Sequence, residues 1–395
     1  MGVQLPGGSS PGRRFHFRHT PANKTSSRHN RGMAHTSTHN PAWTLVAPAI
    51  GTLSLLLALT VPTLPGIDLL LVVGLFGSVV AAVHHAEVIA HKVGEPFGTL
   101  VLALAVTAIE VALIVTMMLA GGESTSGLAR DTVFAAVMLI LNGIIGLSLL
   151  AGSRRHIIQH YRVDGVTAAL TTLSAIVVLT LVLPNFTTSV RGPRYDASQL
   201  VFISVVTLVL FSAFTLFQTR GHRDYFLPVD DGNPATEDQV EKPDNLTALI
   251  SLALLLLSLS VVVLSAKKLA PAMETVLAAM GAPHAVVGIV IAAIVLLPEG
   301  VAAVRAAINN RIQTSLNLAV GSAIASIGLT IPTVAIVALV MDWPLTLGLD
   351  AKSSILLFLT LFITSISLRT GKTNTQIAIV HVVLLGTYLF LSFVP

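Results

Sequence analysis

Cysteine is absent from the 395 residues, which removes disulfides, thiolate metal sites and thiol nucleophiles together. Charge is scarce as well: Asp, Glu, Lys and Arg make up 11% of the chain, against roughly 25% in ordinary soluble domains. Aromatic residues reach only 5% and the basic residues sit between apolar runs, so the net charge of +4 gives no reason to expect a nucleic-acid partner. What is plentiful is apolar: 53% of residues are hydrophobic and the mean hydropathy is +0.82. Apolar runs recur along the whole length, each near the roughly 20 residues that cross a bilayer, and they leave no room for a large soluble domain. The sequence reads as an all-α integral membrane protein whose first partner is the lipid bilayer.

Residues 1–41 are polar, basic and rich in histidine (His16, His19, His29, His35 and His39), the composition of a disordered, solvated tail that binds transition metals weakly at most. The run from Trp43 lies too far from Met1 for a signal peptide and is expected to be a retained span; Met33 is an alternative start. Apolar runs predict about eleven helices, near 42–62, 66–90, 97–119, 131–152, 165–183, 198–218, 245–266, 284–304, 314–340, 344–367 and 374–394. With the N-terminus inside, six of the 23 Lys and Arg (Arg130, Arg191, Arg194, Lys267, Lys268 and Lys352) fall outside and the remaining 17 inside. The positive-inside rule therefore places the N-terminus in the cytoplasm and the C-terminus outside, in what is expected to be a bacterial inner membrane. The break at 219–244 carries Asp224, Asp230, Asp231, Glu237, Asp238, Glu241 and Asp244 and is expected to be a solvated acidic cytoplasmic linker. It divides the chain into a leading helix (42–64), a first set of five (65–218) and a second set of five (245–395). An odd number per set forces the second to insert upside down relative to the first, the arithmetic of an inverted-repeat transporter.

Very few ionisable groups lie inside these runs, and a carboxylate at the centre of a span costs roughly 2.5–3.5 kcal/mol on insertion scales. Glu110 sits in the middle of 97–119 with no basic residue in the same span, and Glu299 sits in Leu296-Leu297-Pro298-Glu299-Gly300 of the second set. Two acids that meet near the midplane match one divalent cation or two protons, and an empty pair is expected to take up protons that a cation must displace. Calcium wants six to eight oxygens, so supporting ligands are needed. Pro298 leaves the carbonyl of Ile294 without its helical N–H partner, and Pro332 does the same for Gly328. Thr107 lies one turn before Glu110; Asn142-Gly143, Gly321-Ser322 and Ser326 add polar, closely approachable segments, for which tight helix packing is the alternative role.

Gly94-Glu95-Pro96-Phe97-Gly98-Thr99-Leu100 leading to Thr107-Ala108-Ile109-Glu110, with Pro298-Glu299-Gly300 and Gly321-Ser322-Ala323 through Thr330-Ile331-Pro332, resembles the calcium/cation antiporter superfamily, in particular its bacterial calcium or sodium/proton antiporters. The resemblance spans both halves. It implies two signature helix pairs around one central cation site, one essential acid in each, at the positions of Glu110 and Glu299. It also implies exchange of Ca2+, Na+ or K+ for protons without a bound cofactor. The chain departs from proton-coupled members in lacking Gly-Asn-Ala before either acid, and in carrying Ala325 where relatives often have Gln.

His84, Glu87 and His91 share one helix face by their spacing, with His85 beside them, at the cytoplasmic end of the second run. Three roles fit: a proton relay or pH sensor, since histidine titrates near neutrality, interfacial packing, or a zinc site. His284 and His381 are isolated and are expected to be structural, while Asp350 and Lys352 are expected to be interfacial and locally paired. The leading reading is a secondary antiporter that exports Ca2+, or Na+ or K+, against protons. A cation channel without obligatory proton coupling and, further off, an intramembrane metallohydrolase at His84, Glu87 and His91 are the alternatives.

Overall fold

The computed structural model describes residue 2 and residues 41–94, 97–121, 125–227, 243–280, 283 and 285–394. The N-terminal tail, Glu95-Pro96, the centre of the acidic linker and His284 lie outside the described residues. The described residues are predominantly helical, with eleven membrane-length or near-membrane-length helices: α1 (Ala42–Thr60), α2 (Ile67–Val93), α3 (Phe97–Gly121), α4 (Leu128–His156), α5 (Val163–Phe186), α6 (Ala197–Gly221), α7 (Asn245–Met280), α8 (Ala285–Ile308), α9 (Ile312–Met341), α10 (Ala351–Thr370) and α11 (Thr375–Phe393). Ten of them carry an apolar stretch long enough to span a bilayer, and α3 carries a shorter one over Leu104–Leu119. Leucine, isoleucine, valine and phenylalanine cover the outward faces (Leu53, Phe202, Val209, Leu249, Ile355 and Phe362 are all exposed), as lipid-facing surfaces require.

Helix ends follow local chemistry. α2 stops at Gly94, whose φ of 78° only glycine adopts easily and whose N–H closes on the Ala90 carbonyl. α6 starts with a capping box: the Asp196 carboxylate accepts from the Gln199 N–H at 2.8 Å, and the Gln199 side chain accepts from the Asp196 N–H at 3.1 Å. The Gln199 N–H and the Ser198 hydroxyl hold the Asp196 carboxyl below the usual carboxylate range. α10 and α11 are capped by Asp350 and Asn374.

Two predicted spans differ. The run expected to be helical from 344 begins only at Ala351, because Leu345, Leu347 and Leu349 alternate as buried residues of an extended segment. That segment bonds to the end of α5 and to the α5–α6 connection, with Leu349 N–H on the Leu181 carbonyl at 2.8 Å and Gly348 N–H on the Pro193 carbonyl at 3.0 Å. The run expected to end at 266 continues through Pro271 to Met280, so the break suggested by Lys267 and Lys268 lies within a helix.

In lipid, helices associate by close contact and not by excluding water, so small residues mark the crossings. α1 meets α2 where a Cβ on Gly51 would lie 2.9 Å from the Gly74 carbonyl oxygen, beside Ser54 and Ser78. α2 packs against α7, its counterpart in the other set, and α1 packs on both. Further contacts form matched pairs under exchange of the sets: α3 with α9 and α8 with α4, α6 with α9 and α11 with α4. Two inverted five-helix repeats after a leading helix give this pattern, and they bring α3 and α8 to the centre.

Candidate functional site

Glu110 and Glu299 reach the same place from different repeats. Both are buried, and both line one cavity of about 410 Å³. Each carboxylate meets a hydroxyl from α9. The Ser326 hydroxyl donates to Glu110, 2.8 Å from Oε1 and 2.7 Å from Oε2, and the Ser322 hydroxyl donates to Oε2 of Glu299. Ser322 and Ser326 are one turn apart on one helix face, so the two carboxylates are spaced along α9 by about 6 Å of rise. Thr330, one turn further along the helix, is buried. No basic side chain is hydrogen-bonded or ion-paired to either acid among the described residues.

The α9 face explains how the sequence builds this. Asn317, Gly321, Ser322, Ala325 and Ser326 recur at helical spacing and all line the cavity. A Cβ at Gly321 would touch nothing within 4 Å, so the glycine opens space and does not serve packing. From the two acids the cavity runs past Thr107, Phe211, Phe214 and Thr215 to Gln218, Thr219, Arg223 and Phe226, at the end of the bundle where α6 finishes and α9 begins. Asn317 is fixed there, donating to the Phe226 carbonyl at 2.6 Å and accepting from Gln313 at 2.9 Å. The α6 side of this lining escaped the sequence reading, because Phe211 and Phe214 look lipid-facing in an apolar run. Asn317 was findable as the next polar member of the Ser322 and Ser326 face.

Of the expected supporting ligands, Thr107, Ser322 and Ser326 line the cavity and Asn142, Ile294 and Gly328 do not. Asn142 is a correction. It lies in a π-helical stretch, Leu139–Ile144, and does not line the cavity that holds the two acids. Its amide donates to Thr360 Oγ1 at 3.0 Å, and its Oδ1 lies 3.4 Å from His381 Nδ1. His381, expected to be isolated, is therefore part of a buried polar cluster. Gly328 is taken up by packing: a Cβ there would lie 2.9 Å from the Phe211 Cβ. Ile294 packs against the apolar core.

The His84–His91 segment is held mostly by α1. The His84 ring lies 5.4 Å from that of Trp43, His85 is fully buried with Nε2 at 3.1 Å from the Thr44 carbonyl, and His91 is exposed. Glu87, on the same helix, is half-buried. Among the described residues no group of three or more His, Cys, Asp or Glu is placed to hold a metal ion, which overturns the zinc reading of this segment.

Ser326→Ala removes a charge-assisted hydrogen bond of about 1.5–3 kcal/mol from Glu110 and is expected to weaken cation affinity by roughly tenfold or more. Asn142→Ala is expected to leave the cation KM unchanged while lowering thermal stability, because its partners are Thr360 and His381 and not the cavity. Paired transport and melting measurements on the two variants check both.

A membrane-embedded inverted repeat with its signature helices crossing at the centre is the architecture of a secondary cation transporter. The family model described as sodium/calcium exchanger protein matches residues 63–220 and 250–394, and the chain belongs to that family, within the calcium/cation antiporter superfamily. It is 44% identical over 364 residues to y4hA of Sinorhizobium fredii, named as an ionic transporter, covering 91% of this chain and 98% of the relative. It is 32% identical over 335 residues to the sodium-potassium/proton antiporter ChaA of Escherichia coli K12, covering 85% and 90%. Among solved structures it superposes on YfkE with a TM-score of 0.69 at 17% identity, covering 89% of this chain and 100% of the other. On the H+/Ca2+ exchanger CAX the TM-score is 0.64 at 16% identity, covering 88% of each, and both likenesses concern the fold. The chain is thus a secondary transporter and not an enzyme, which sets aside the metallohydrolase alternative.

Proposed function

We propose that this chain is a cation/proton antiporter that exports Ca2+, with Na+ and K+ as competing cargo, through one site shared by Glu110 and Glu299. The observation that carries this reading is that two buried carboxylates from opposite repeats line a single cavity and are each bonded to a serine of the same helix. Two negative charges balance one divalent cation or two protons, so loading one species expels the other. Ser322, Ser326 and Thr107 supply neutral oxygens, and water completes a shell for which few side-chain amides are available. The positive-inside distribution supports a cytoplasmic mouth for the open cavity in an inner membrane, with the N-terminus inside and the C-terminus outside. The acid of the α2 segment, Glu87, is our candidate for passing protons to the site, with His84, His85 and His91 at the same end of α2. Homology to a sodium-potassium/proton antiporter supports proton coupling over a simple channel.

The test is a competition series in proteoliposomes. Calcium, sodium and potassium should each drive proton movement and each inhibit the others. Because protons occupy the same carboxylates, the apparent KM for every cation should rise as pH falls on the side where the cation binds. Cation flux that proceeds without proton movement, or a KM indifferent to pH, would refute the exchange reading.

A further inference from the structure

Besides Glu110 and Glu299, the lining of the open cavity contains one charged residue, and it is positive. Its other polar members among the described residues are threonines, Gln218, Asn317 and the two serines that bond the acids, all of them neutral. Arg223 stands alone. An arginine at the entrance of a cavity that collects cations repels its own cargo, so its place there calls for a reason other than attraction.

The local structure fixes it at the mouth. α6 ends in a π turn, Phe217–Gly221; His222 then leaves the helical region, with φ −140° and ψ 45°, and a 3-10 turn over Arg223–Phe226 follows. Phe226 pins that turn. Its buried ring stands edge to face with Phe214 at 5.9 Å and with Phe217 at 6.2 Å, while the His222 ring stacks on Phe217 at 4.4 Å. The backbone is held as well: Asn317 of α9 donates to the Phe226 carbonyl at 2.6 Å, and a Cβ at Gly165 of α5 would lie 2.6 Å from the Tyr225 carbonyl oxygen. Arg223 itself is exposed. Its neighbour Asp224 is exposed too but is not part of the lining, since successive residues of a three-per-turn helix project about 120° apart.

We infer that Arg223 is a specificity-determining residue for the shared site: its charge at the mouth disfavours divalent cations more strongly than monovalent ones and so raises the share of Na+ and K+ in the transported cargo. This rests on the shared-site reading above and adds the class of cation that the entrance favours. A fixed charge sets a local potential, and the concentration of an ion in that potential follows a Boltzmann factor whose exponent carries the ion's own charge. Whatever factor Arg223 imposes on Na+, it imposes the square of that factor on Ca2+. An effect of shape has no reason to obey this rule. An exposed charge also loses its reach in salt, as the Debye length falls from about 30 Å at 0.01 M to about 3 Å at 1 M.

The experiment measures KM for Ca2+ and for Na+ with the full chain in proteoliposomes, at low ionic strength and at alkaline pH, where protons do not compete for the carboxylates. Arg223→Gln is expected to lower KM for Na+ by about twofold to threefold and KM for Ca2+ by about fourfold to ninefold; Arg223→Glu should lower each again by a similar factor, and Arg223→Lys should keep the ratio of the unaltered protein. With N-methylglucamine chloride raised to about 1 M the differences should vanish. Equal factors for the two cations, unchanged KM values in Arg223→Gln, or differences that persist in high salt would overturn the inference and leave the shared site standing. If Ca2+ and Na+ fail to compete in the unaltered protein, the shared-site reading falls and the inference falls with it.

Discussion

Glu110→Gln and Glu299→Gln are each expected to abolish cation-dependent proton movement while leaving the protein folded. The amide keeps the shape and still accepts from Ser326 or Ser322, so the helix contacts of α3 and α8 with α9 survive. What is lost is charge. At about 4 Å and an effective dielectric near 20, one carboxylate attracts one unit charge by about 4 kcal/mol, equivalent to roughly a thousandfold in affinity. The site also loses a proton-binding group, so its remaining carboxylate no longer balances a divalent cation against two protons. Purified variants with wild-type melting behaviour and no cation-driven pH change in everted vesicles are the expected result. Full exchange by either variant would show that its acid is outside the transport site.

The second large effect is structural. Gly288 on α8 sits where a Cβ would lie 2.7 Å from the backbone of both Asp131 and Thr132 at the start of α4. Backbone does not move aside as a flexible side chain does, so Gly288→Val must push α8 away from α4. Overpacking of this kind costs about 1–3 kcal/mol or more, and the contact it opens is the one that carries Glu299 against the first repeat. The expected outcome is a sharp drop in monodisperse protein and in melting temperature, measured by fluorescence-detected size exclusion. Gly321→Ala, by contrast, meets nothing within 4 Å and should fold normally.

These two cases show what could be read from the chain directly and what could not. The two acids were legible because a carboxylate in the middle of an apolar run has few structural excuses, and the hydroxyls were legible because Ser322 and Ser326 fall on one helical face. The helix count was legible from the length of the runs. Asn142 was misread: it lies in a π stretch that no residue pattern in Leu139–Ile144 announces, and it bonds to Thr360 instead of lining the cavity. Residues 344–350 were misread because alternating leucines buried on one side of an extended segment have the same composition as a helix entry. Phe211 and Phe214 were missed because an aromatic side chain facing a cavity and one facing lipid look alike in sequence.

One measurement bears most directly on whether metal and hydrogen ions share these two acids: proton release on cation binding, without any flux. Detergent-purified protein in weak buffer is titrated with Ca2+ while pH is followed. The account predicts protons expelled in proportion to the cation bound, fewer from Glu110→Gln or Glu299→Gln, and none from the double variant. Calcium that binds with wild-type affinity and releases no protons, or releases the same number from the double variant, would contradict it.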